Sequence, residues 1–310
     1  MRAIKKIIWA TDGSKESEEA LNYAKFLAQR FNSEIIGVYV IEMHKKLLYD
    51  YSRDPDSELY RWVEKAAESH KARLASIADE LATQGLRFRV EVLIGEPDKE
   101  IIRFTRGVKA DLTVMGKRGL GLIDRILIGS TTIKVLRESS VPVLAVKKRD
   151  KEGMVDIRNI LVPLDVYEKV DSALNYAIDL AEKIKANISV VYAFRLDTYA
   201  PLGIEIPPNI IANLVDELLT FSSTELANRV EEAKLKLKND NKETNKLEIN
   251  TEVIQGISPS MRIVEYATSK NTDLIVINTH GRKGIKRFIL GSVAEEVIQE
   301  SPCPVLALKP

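Results

Sequence analysis

The sequence predicts an α/β fold in which two similar units follow each other along a chain of 310 residues. The first observation is an internal repeat: Ala20–Ala24 recurs as Ala173–Ala177, and Pro142–Ala145 recurs as Pro304–Ala307. The second is size, because each copy has about the length of an ordinary domain. The third is a series of short apolar runs, which are typical of strands covered on both faces.

Each copy contains five of these apolar runs, with helical patterns between them. In the first copy the predicted strands are Ile7–Ala10, Ile35–Ile41, Val90–Ile94, Leu112–Met115 and Val143–Val146. In the second they are Ile160–Leu164, Ile188–Phe194, Ile249–Ile254, Leu274–Ile277 and Val305–Leu308. Alternating strands and helices predict two tandem open five-stranded parallel sheets of order 3-2-1-4-5, with helices on both faces.

The connection after the second strand is long in both copies and predicts a helix, over roughly 54–84 and 209–239. Turn residues just before these helices, near Leu47–Pro55 and Asp197–Pro208, predict loops.

The charged, glycine-containing segment Lys147–Arg158 is predicted to be a short linker. We therefore expect domains over residues 1–150 and 151–310.

Composition argues against several classes of function. Lysine and arginine total 46 and aspartate and glutamate 45, so the chain lacks the positive charge on which nucleic-acid binders depend. No stretch approaches about 18 apolar residues, so we expect a cytoplasmic protein that does not bind membranes. The single cysteine, Cys303, suits a reducing compartment and is expected to be buried. His44, His70 and His280 lack metal-ligand spacing, so we expect no metal site.

Three features of the first copy converge on one edge of the predicted sheet. Asp12 follows the first strand, Gly116 and Gly119 follow the fourth, and Gly129-Ser130-Thr131 opens the last helix. In a 3-2-1-4-5 sheet, strands 1 and 4 are neighbours at the switch point where ligands bind. Glycines let the backbone approach a phosphate, and a helix N-terminus attracts anions. This combination predicts a nucleotide site, although each feature alone also suits a turn or a helix start.

The spacing Gly116-x2-Gly119-x9-Gly129-Ser130 resembles that of the nucleotide-binding universal stress proteins of the UspA type. The resemblance covers essentially the whole chain as a tandem of two such domains. It implies an adenine nucleotide alpha hydrolase-like fold and ATP as the cofactor, with any Mg²⁺ carried by the phosphates. It also implies pairing of the two domains within the chain, or a homodimer.

The same resemblance suggests roles for individual residues. Asp12 would face the adenine, Val40 and Met115 would line the base pocket, and the glycine loop and last helix would hold the phosphates. The predicted nucleotide-binding residues are Ala10, Thr11, Asp12, Val40, Met115, Gly116, Gly119, Gly129, Ser130 and Thr131.

The second copy departs from this motif, so we expect a weaker site there. Asn278 stands where the first copy has Gly116, and it is expected to crowd the sugar of a bound nucleotide. Val166 and Tyr167 stand where the first copy has Gly13 and Ser14, and they are expected to put bulk at the mouth of the site. Arg282, Lys283, Lys286 and Arg287 lie in the second loop, where cations would help to hold phosphates or form a solvated surface. The residues of this second site are Asp165, Ala193, Asn278, Gly281, Gly291, Ser292 and Val293.

Three functions are compatible with these patterns. The first is an ATP-binding protein with a role in stress response or signalling. The second is a structural or interaction module whose nucleotide sites are vestigial. The third is a slow ATPase, which is least favoured because hydrolysis needs a positioned base that the pattern does not provide. No catalytic residue is predicted.

Overall fold

The structure is a computed structural model that describes residues 4–119, 128–149, 153–168, 171–195, 207–239, 247–279 and 290–309. The chain divides into two compact units, the first ending at Val155 and the second beginning at Asp156.

The first unit alternates strands and helices around one parallel sheet. Its elements are β1 (Lys6–Thr11), α1 (Lys15–Phe31), β2 (Glu34–Glu42), α2 (Lys45–Arg53), α3 (Glu58–Thr83), β3 (Arg87–Gly95), α4 (Pro97–Gly107), β4 (Leu112–Gly116), α5 (Ser130–Glu138) and β5 (Val143–Val146). The strands pair in the order β3-β2-β1-β4-β5. This confirms the predicted 3-2-1-4-5 order.

The second unit repeats this arrangement. Its elements are β6 (Asn159–Pro163), α6 (Ser172–Ile184), β7 (Asn187–Arg195), α7 (Pro208–Asn239), β8 (Ile249–Gly256), α8 (Pro259–Ser269), β9 (Leu274–Asn278), α9 (Ser292–Glu300) and β10 (Val305–Leu308). Within the unit the order is β8-β7-β6-β9-β10, again with parallel pairs.

The apolar runs are buried as the parallel sheet requires. Ile7 and Ile8 of β1 and Ile35 and Ile36 of β2 are fully buried although neighbouring residues face opposite sides of the sheet. Cys303 is buried too, as expected. Burial of both faces explains why these strands contain continuous rather than alternating apolar residues.

One predicted loop is wrong, because most of the segment near Leu47–Pro55 is helix α2. Tyr51 stacks on Tyr60 of α3 at a centroid distance of 5.1 Å and donates a hydrogen bond to Glu64 at 2.5 Å. This packing against α3 favours helix over the local turn preference. The corresponding prediction for Asp197–Pro208 lies almost entirely outside the described residues.

In the part of the chain that the structure describes, no helix is long and apolar enough to cross a membrane. The same residues contain no group of three or more histidine, cysteine or acidic side chains that could hold a metal ion.

The sheet topology of the first unit brings two chain turns together. β1 and β4 are parallel neighbours, with Ala10 opposite Met115. Their carboxyl ends, Thr11 and Gly116, therefore lie at the same edge of the sheet. The α1 and α5 helices begin just beyond these ends, so two helix N-termini lie at the edge where open α/β sheets generally form a ligand crevice.

Candidate functional site

The turn between β1 and α1 is built from Asp12, Gly13 and Ser14. The Asp12 Oδ1 atom accepts a hydrogen bond from the Ser14 backbone N–H at 3.0 Å. Ser14 is the N-cap of α1, and its hydroxyl accepts from the Ser17 N–H at 3.2 Å. Gly13 has a φ of +83°, a left-handed conformation that favours glycine. Asp12 therefore stabilises the turn, which was the alternative to a role in nucleotide binding.

The glycine loop between β4 and α5 is closed at its base by the main chain. The Gly129 N–H donates to the Lys117 carbonyl at 2.8 Å, and the Lys117 N–H donates to the Val146 carbonyl at 2.7 Å. The Thr132 hydroxyl of α5 also donates to the Gly116 carbonyl at 2.9 Å. These bonds hold the α5 N-terminus beside the end of β4.

Close contacts explain two of the three motif glycines. A Cβ atom on Gly116 would lie 2.9 Å from the Ser17 backbone nitrogen, so this glycine permits β4 to pack against the start of α1. A Cβ atom on Gly119 would lie 2.6 Å from the Asp12 Oδ2 atom. Asp12 and Gly119, which were predicted to share a site, are therefore in contact.

Gly129 differs from the other two glycines. Its φ of −73° and ψ of 145° are accessible to any residue. A Cβ atom there would approach its nearest neighbour among the described residues, the Lys117 carbonyl oxygen, at 3.5 Å, an ordinary contact distance. Neither the backbone conformation nor the space that the described residues leave around Gly129 requires glycine.

The two helix N-termini beside the crevice are not equivalent. The first turn of α1 has its own cap in Ser14, whereas the Gly129 cap of α5 makes no side-chain cap hydrogen bond. Ser130 is exposed and Thr131 is half-buried at this end. The N–H groups and positive dipole end of α5 therefore form the better place for an anion.

The remaining predicted residues lie around these turns. Ala10 and Met115 are buried partners on adjacent strands, and the Thr11 and Ser17 hydroxyls share a hydrogen bond of 2.9 Å. Val40 is half-buried against the cluster containing Ile8.

Sequence reasoning missed Glu16 and Arg118. The Glu16 carboxylate is buried and accepts hydrogen bonds from both the backbone N–H and the side-chain Nε of Arg118. An acidic residue in the first turn of a helix is common, and nothing local links it to a loop residue 102 positions away.

A second missed group lies on α3 beside the β1–α1 turn. The His70 ring stacks on Tyr39 at a centroid distance of 3.8 Å, and Arg73 lies next to Gly13. The pKa of His70 is lowered mainly by burial and to a smaller extent by the nearby Arg73 cation. The pKa of Tyr39 is raised mainly by burial and to a smaller extent by the Asp12 charge, whereas the Arg73 charge lowers it. These charges act within one small region at the end of β1 and β2.

The second unit keeps the main-chain frame of the site. The Asp165 Oδ1 atom accepts from the Tyr167 N–H at 3.0 Å, and the Gly291 N–H donates to the Thr279 carbonyl at 2.8 Å. Asp165 and Ala193 are half-buried, whereas Ser292 and Val293 are exposed. Gly281, His280 and the four loop cations fall outside the described residues.

The contact made by Asn278 differs from expectation. Its Oδ1 atom accepts a hydrogen bond from the Ser172 hydroxyl at 2.5 Å, which directs the amide toward the first turn of α6. Gly116, at the corresponding position, likewise faces the first turn of α1. This geometry does not support crowding of a sugar by Asn278, so any asymmetry between the copies needs another cause.

An arginine provides such a difference. Arg73 and Arg229 each lie ten residues before the end of their helix, α3 or α7. The Arg73 side chain is 59% exposed and lies 3.9 Å from Glu18. Arg229 is 6% exposed, donates to the Asp165 carbonyl at 2.8 Å and pairs with Asp171, the counterpart of Glu18 when the repeats are aligned.

Neighbouring side chains fill the same region of the second unit. Val166, at the position of Gly13, is buried. Tyr167, at the position of Ser14, packs on Tyr192 and on Phe221 with centroid distances of 6.2 and 5.9 Å. The turn after β6 therefore carries larger side chains than the turn after β1, although Tyr167 itself is 59% exposed.

The fold is that of a tandem α/β protein, and β1 and β4 of its first unit meet at the switch point of the strand order. The family model described as the universal stress protein family matches residues 3–147 and 156–309. The chain therefore belongs to the universal stress protein family and is a tandem UspA-type protein.

Individual relatives agree with this assignment. A universal stress protein of Mycolicibacterium smegmatis is 25% identical over 307 residues, covering 98% of this chain and 97% of the relative. Universal stress protein MJ0531 of Methanocaldococcus jannaschii is 37% identical over 150 residues, covering 48% of this chain and 85% of the relative.

Among solved structures, a universal stress protein from Archaeoglobus fulgidus matches with a TM-score of 0.68 at 22% identity, covering 100% of this chain and 99% of that one. This similarity supports the fold, including its tandem form.

Proposed function

We propose that this universal stress protein binds ATP in the crevice of its first unit and serves a stress-response or signalling role. The nucleotide lies across the carboxyl ends of β1 and β4. Its phosphates lie against the N-terminus of α5, and any Mg²⁺ is carried by the phosphates. A cytoplasmic location, with the two domains paired or the chain dimeric, belongs to the same proposal.

The observation that carries the proposal is the combination of an uncapped helix start and a glycine without an internal reason. Gly129 has an ordinary conformation and, as far as the described residues go, room for a Cβ atom, yet it begins a helix that has no side-chain cap. A ligand that approaches the backbone closely accounts for both facts. The Ser130 and Thr131 hydroxyls add donors at the same place.

Asp12 supports adenine as the base. Its carboxylate lies on the other wall of the crevice, against Gly119. A carboxylate has about four acceptor positions, so its bond to Ser14 is compatible with a further bond from an exocyclic amine. Adenine has such an amine at position 6, where guanine has a carbonyl oxygen.

The larger side chains at this turn of the second unit favour a different role for that half. A ligand placed at its β6 turn competes with the buried Arg229–Asp171 pair and with Tyr167. The second unit is therefore the weaker nucleotide site and the half better suited to a structural or interaction role.

Two experiments test the proposal. Protein purified from cells is denatured and the supernatant is analysed for adenine nucleotide, which we expect to be released.

ATP binding is then measured for Gly129→Val and for Gly291→Val, the matched change in the second unit. We expect Gly129→Val to remove the tight site, because its methyl groups occupy the phosphate position, and Gly291→Val to retain it. Wild-type affinity in a folded Gly129→Val variant would contradict the proposed site.

A further inference from the structure

We propose that Glu16 is a positioning residue of the first site, which fixes the start of the glycine loop, Gly116–Gly119, before ATP arrives. This inference rests on the proposed ATP site and identifies a determinant of its affinity. Glu16 belongs to α1 and acts on the ligand through the loop.

The carboxylate makes two bonds to one loop residue. Its Oε2 atom accepts from the Arg118 backbone N–H at 2.5 Å, and its Oε1 atom accepts from the Arg118 Nε at 2.8 Å. The Glu16 side chain is only 8% exposed. The Ser14 hydroxyl makes a longer contact of 3.5 Å with the Arg118 carbonyl. Both the N–H and the carbonyl of Arg118 are therefore fastened to the start of α1.

Arg118 lies between the first two glycines of the motif, so this attachment fixes the chain from Gly116 to Gly119. Gly116 packs on the α1 backbone on one side of Arg118, and Gly119 contacts Asp12 on the other. A glycine-rich segment loses more conformational entropy on ordering than other segments do. If that ordering precedes binding, the affinity of the ligand is not reduced by it.

The charge of Glu16 does not by itself suit a phosphate site. A carboxylate near phosphates repels them unless its charge is compensated. Here the Arg118 guanidinium and the positive end of the α1 dipole compensate it. The useful property of Glu16 is thus the hydrogen bond that it accepts from the loop main chain, rather than its net charge.

The second copy cannot build this contact from the same position. Alignment of the repeats places Lys169 opposite Glu16 and His280 opposite Arg118. Both lie outside the described residues, but the chemistry is plain from the sequence. A lysine ammonium has no acceptor for a backbone N–H.

The test compares ATP affinity for Glu16→Ala, Glu16→Gln and Glu19→Ala in the full chain. Glu16→Ala should weaken binding roughly 5- to 150-fold, the equivalent of about 1–3 kcal/mol for a buried donor left without its acceptor. Glu16→Gln keeps an oxygen acceptor for the Arg118 N–H but turns its NH2 group toward the Arg118 Nε–H, so its affinity should lie between those of the wild type and Glu16→Ala. Glu19→Ala is the matched control. Glu19 lies on the same helix as Glu16 but pairs with Arg149, so its replacement should leave the ATP affinity unchanged.

Hydrogen exchange of the Arg118 amide provides a readout without ligand. The amide should be protected in the wild type and in Glu16→Gln, and it should exchange rapidly in Glu16→Ala. If Glu16→Ala does not fold, Glu16→Ser replaces it, because serine is small and neutral and its hydroxyl is too short to take the place of the carboxylate.

The outcomes separate the two levels of the proposal. Equal ATP affinity in the wild type and a folded Glu16→Ala variant would overturn the role of Glu16 and leave the ATP site standing. Glu16→Gln as weak as Glu16→Ala would also overturn it, because charge rather than loop order would then matter. A wild-type protein that binds no ATP, with the expected exchange pattern, would refute the ATP site and the role of Glu16 in binding together.

Discussion

Replacing Gly119 by alanine tests the contact that joins the two walls of the crevice. The new Cβ atom would lie 2.6 Å from the Asp12 Oδ2 atom, far inside a normal contact. Asp12 must then rotate, which disrupts its 3.0 Å bond to the Ser14 N–H. Overpacking of this kind costs about 1–3 kcal/mol, and a single net hydrogen bond about 0.5–1.5 kcal/mol. We expect the free energy of unfolding to fall by about 1–3 kcal/mol. The two costs do not simply add, because rotation of Asp12 relieves the overpacking at the same time as it breaks the hydrogen bond.

Displacement of Asp12 should also weaken ATP binding. A loss of about 1–3 kcal/mol corresponds to roughly 5- to 150-fold in affinity at about 1.4 kcal/mol per decade. The assays are urea unfolding monitored by circular dichroism and calorimetric titration with ATP.

Gly129→Ala is the matched comparison for this prediction. Its Cβ atom meets none of the described residues closer than 3.5 Å, so its effect on unfolding should be no more than the small cost of alanine at a helix N-cap, about 0.5–1 kcal/mol. Its effect on ATP should persist, because the added methyl lies beside the proposed phosphates. A Gly119→Ala variant with wild-type stability and wild-type affinity would refute the importance of the Asp12–Gly119 contact.

The other predictions concern single side chains. Asp12→Ala should weaken ATP by about 1–3 kcal/mol and reduce the preference for ATP over GTP, measured by competition; an unchanged ratio would restrict Asp12 to its turn role. Arg229→Ala should lower the free energy of unfolding in urea by about 3 kcal/mol, because it leaves the carboxylate of Asp171 without its buried partner. Arg73→Ala should change it by less than about 1 kcal/mol, because the Arg73 pair is exposed, and equal losses would contradict the difference between the copies. The pKa of His70, followed by NMR, should lie below its ordinary 6.5 and rise in Arg73→Ala. Because the folded-state pKa is lowered, the contribution of His70 to stability is present above pH 6.5 and is lost as the pH falls through the folded-state pKa; an NMR pKa at or above 6.5 would contradict this.

Much of the fold was predictable because it follows from patterns repeated along the chain. Buried parallel strands require continuous apolar runs, and these were visible twice in the same order. The exception, α2, depends on Tyr51 packing against α3. Such a contact between two elements overrides local turn preference and leaves no short-range signal.

The candidate site divides in the same way. Asp12 and the motif glycines were predictable because each lies where a strand ends or a helix begins, positions that the strand pattern locates. Glu16 and Arg229 were not, because their roles depend on partners far away in sequence and on burial. Asn278 shows the reverse error: its position was correctly placed at the end of a strand, but the direction of its side chain was not readable from sequence.

The most direct test of the account is the stoichiometry and affinity of ATP binding to the nucleotide-free full-length chain. Equilibrium titration should find one tight site per chain, and Gly129→Val should abolish it while Gly291→Val leaves it intact. No binding, or two equal sites of which neither depends on Gly129, would contradict the claim that the first unit holds the nucleotide.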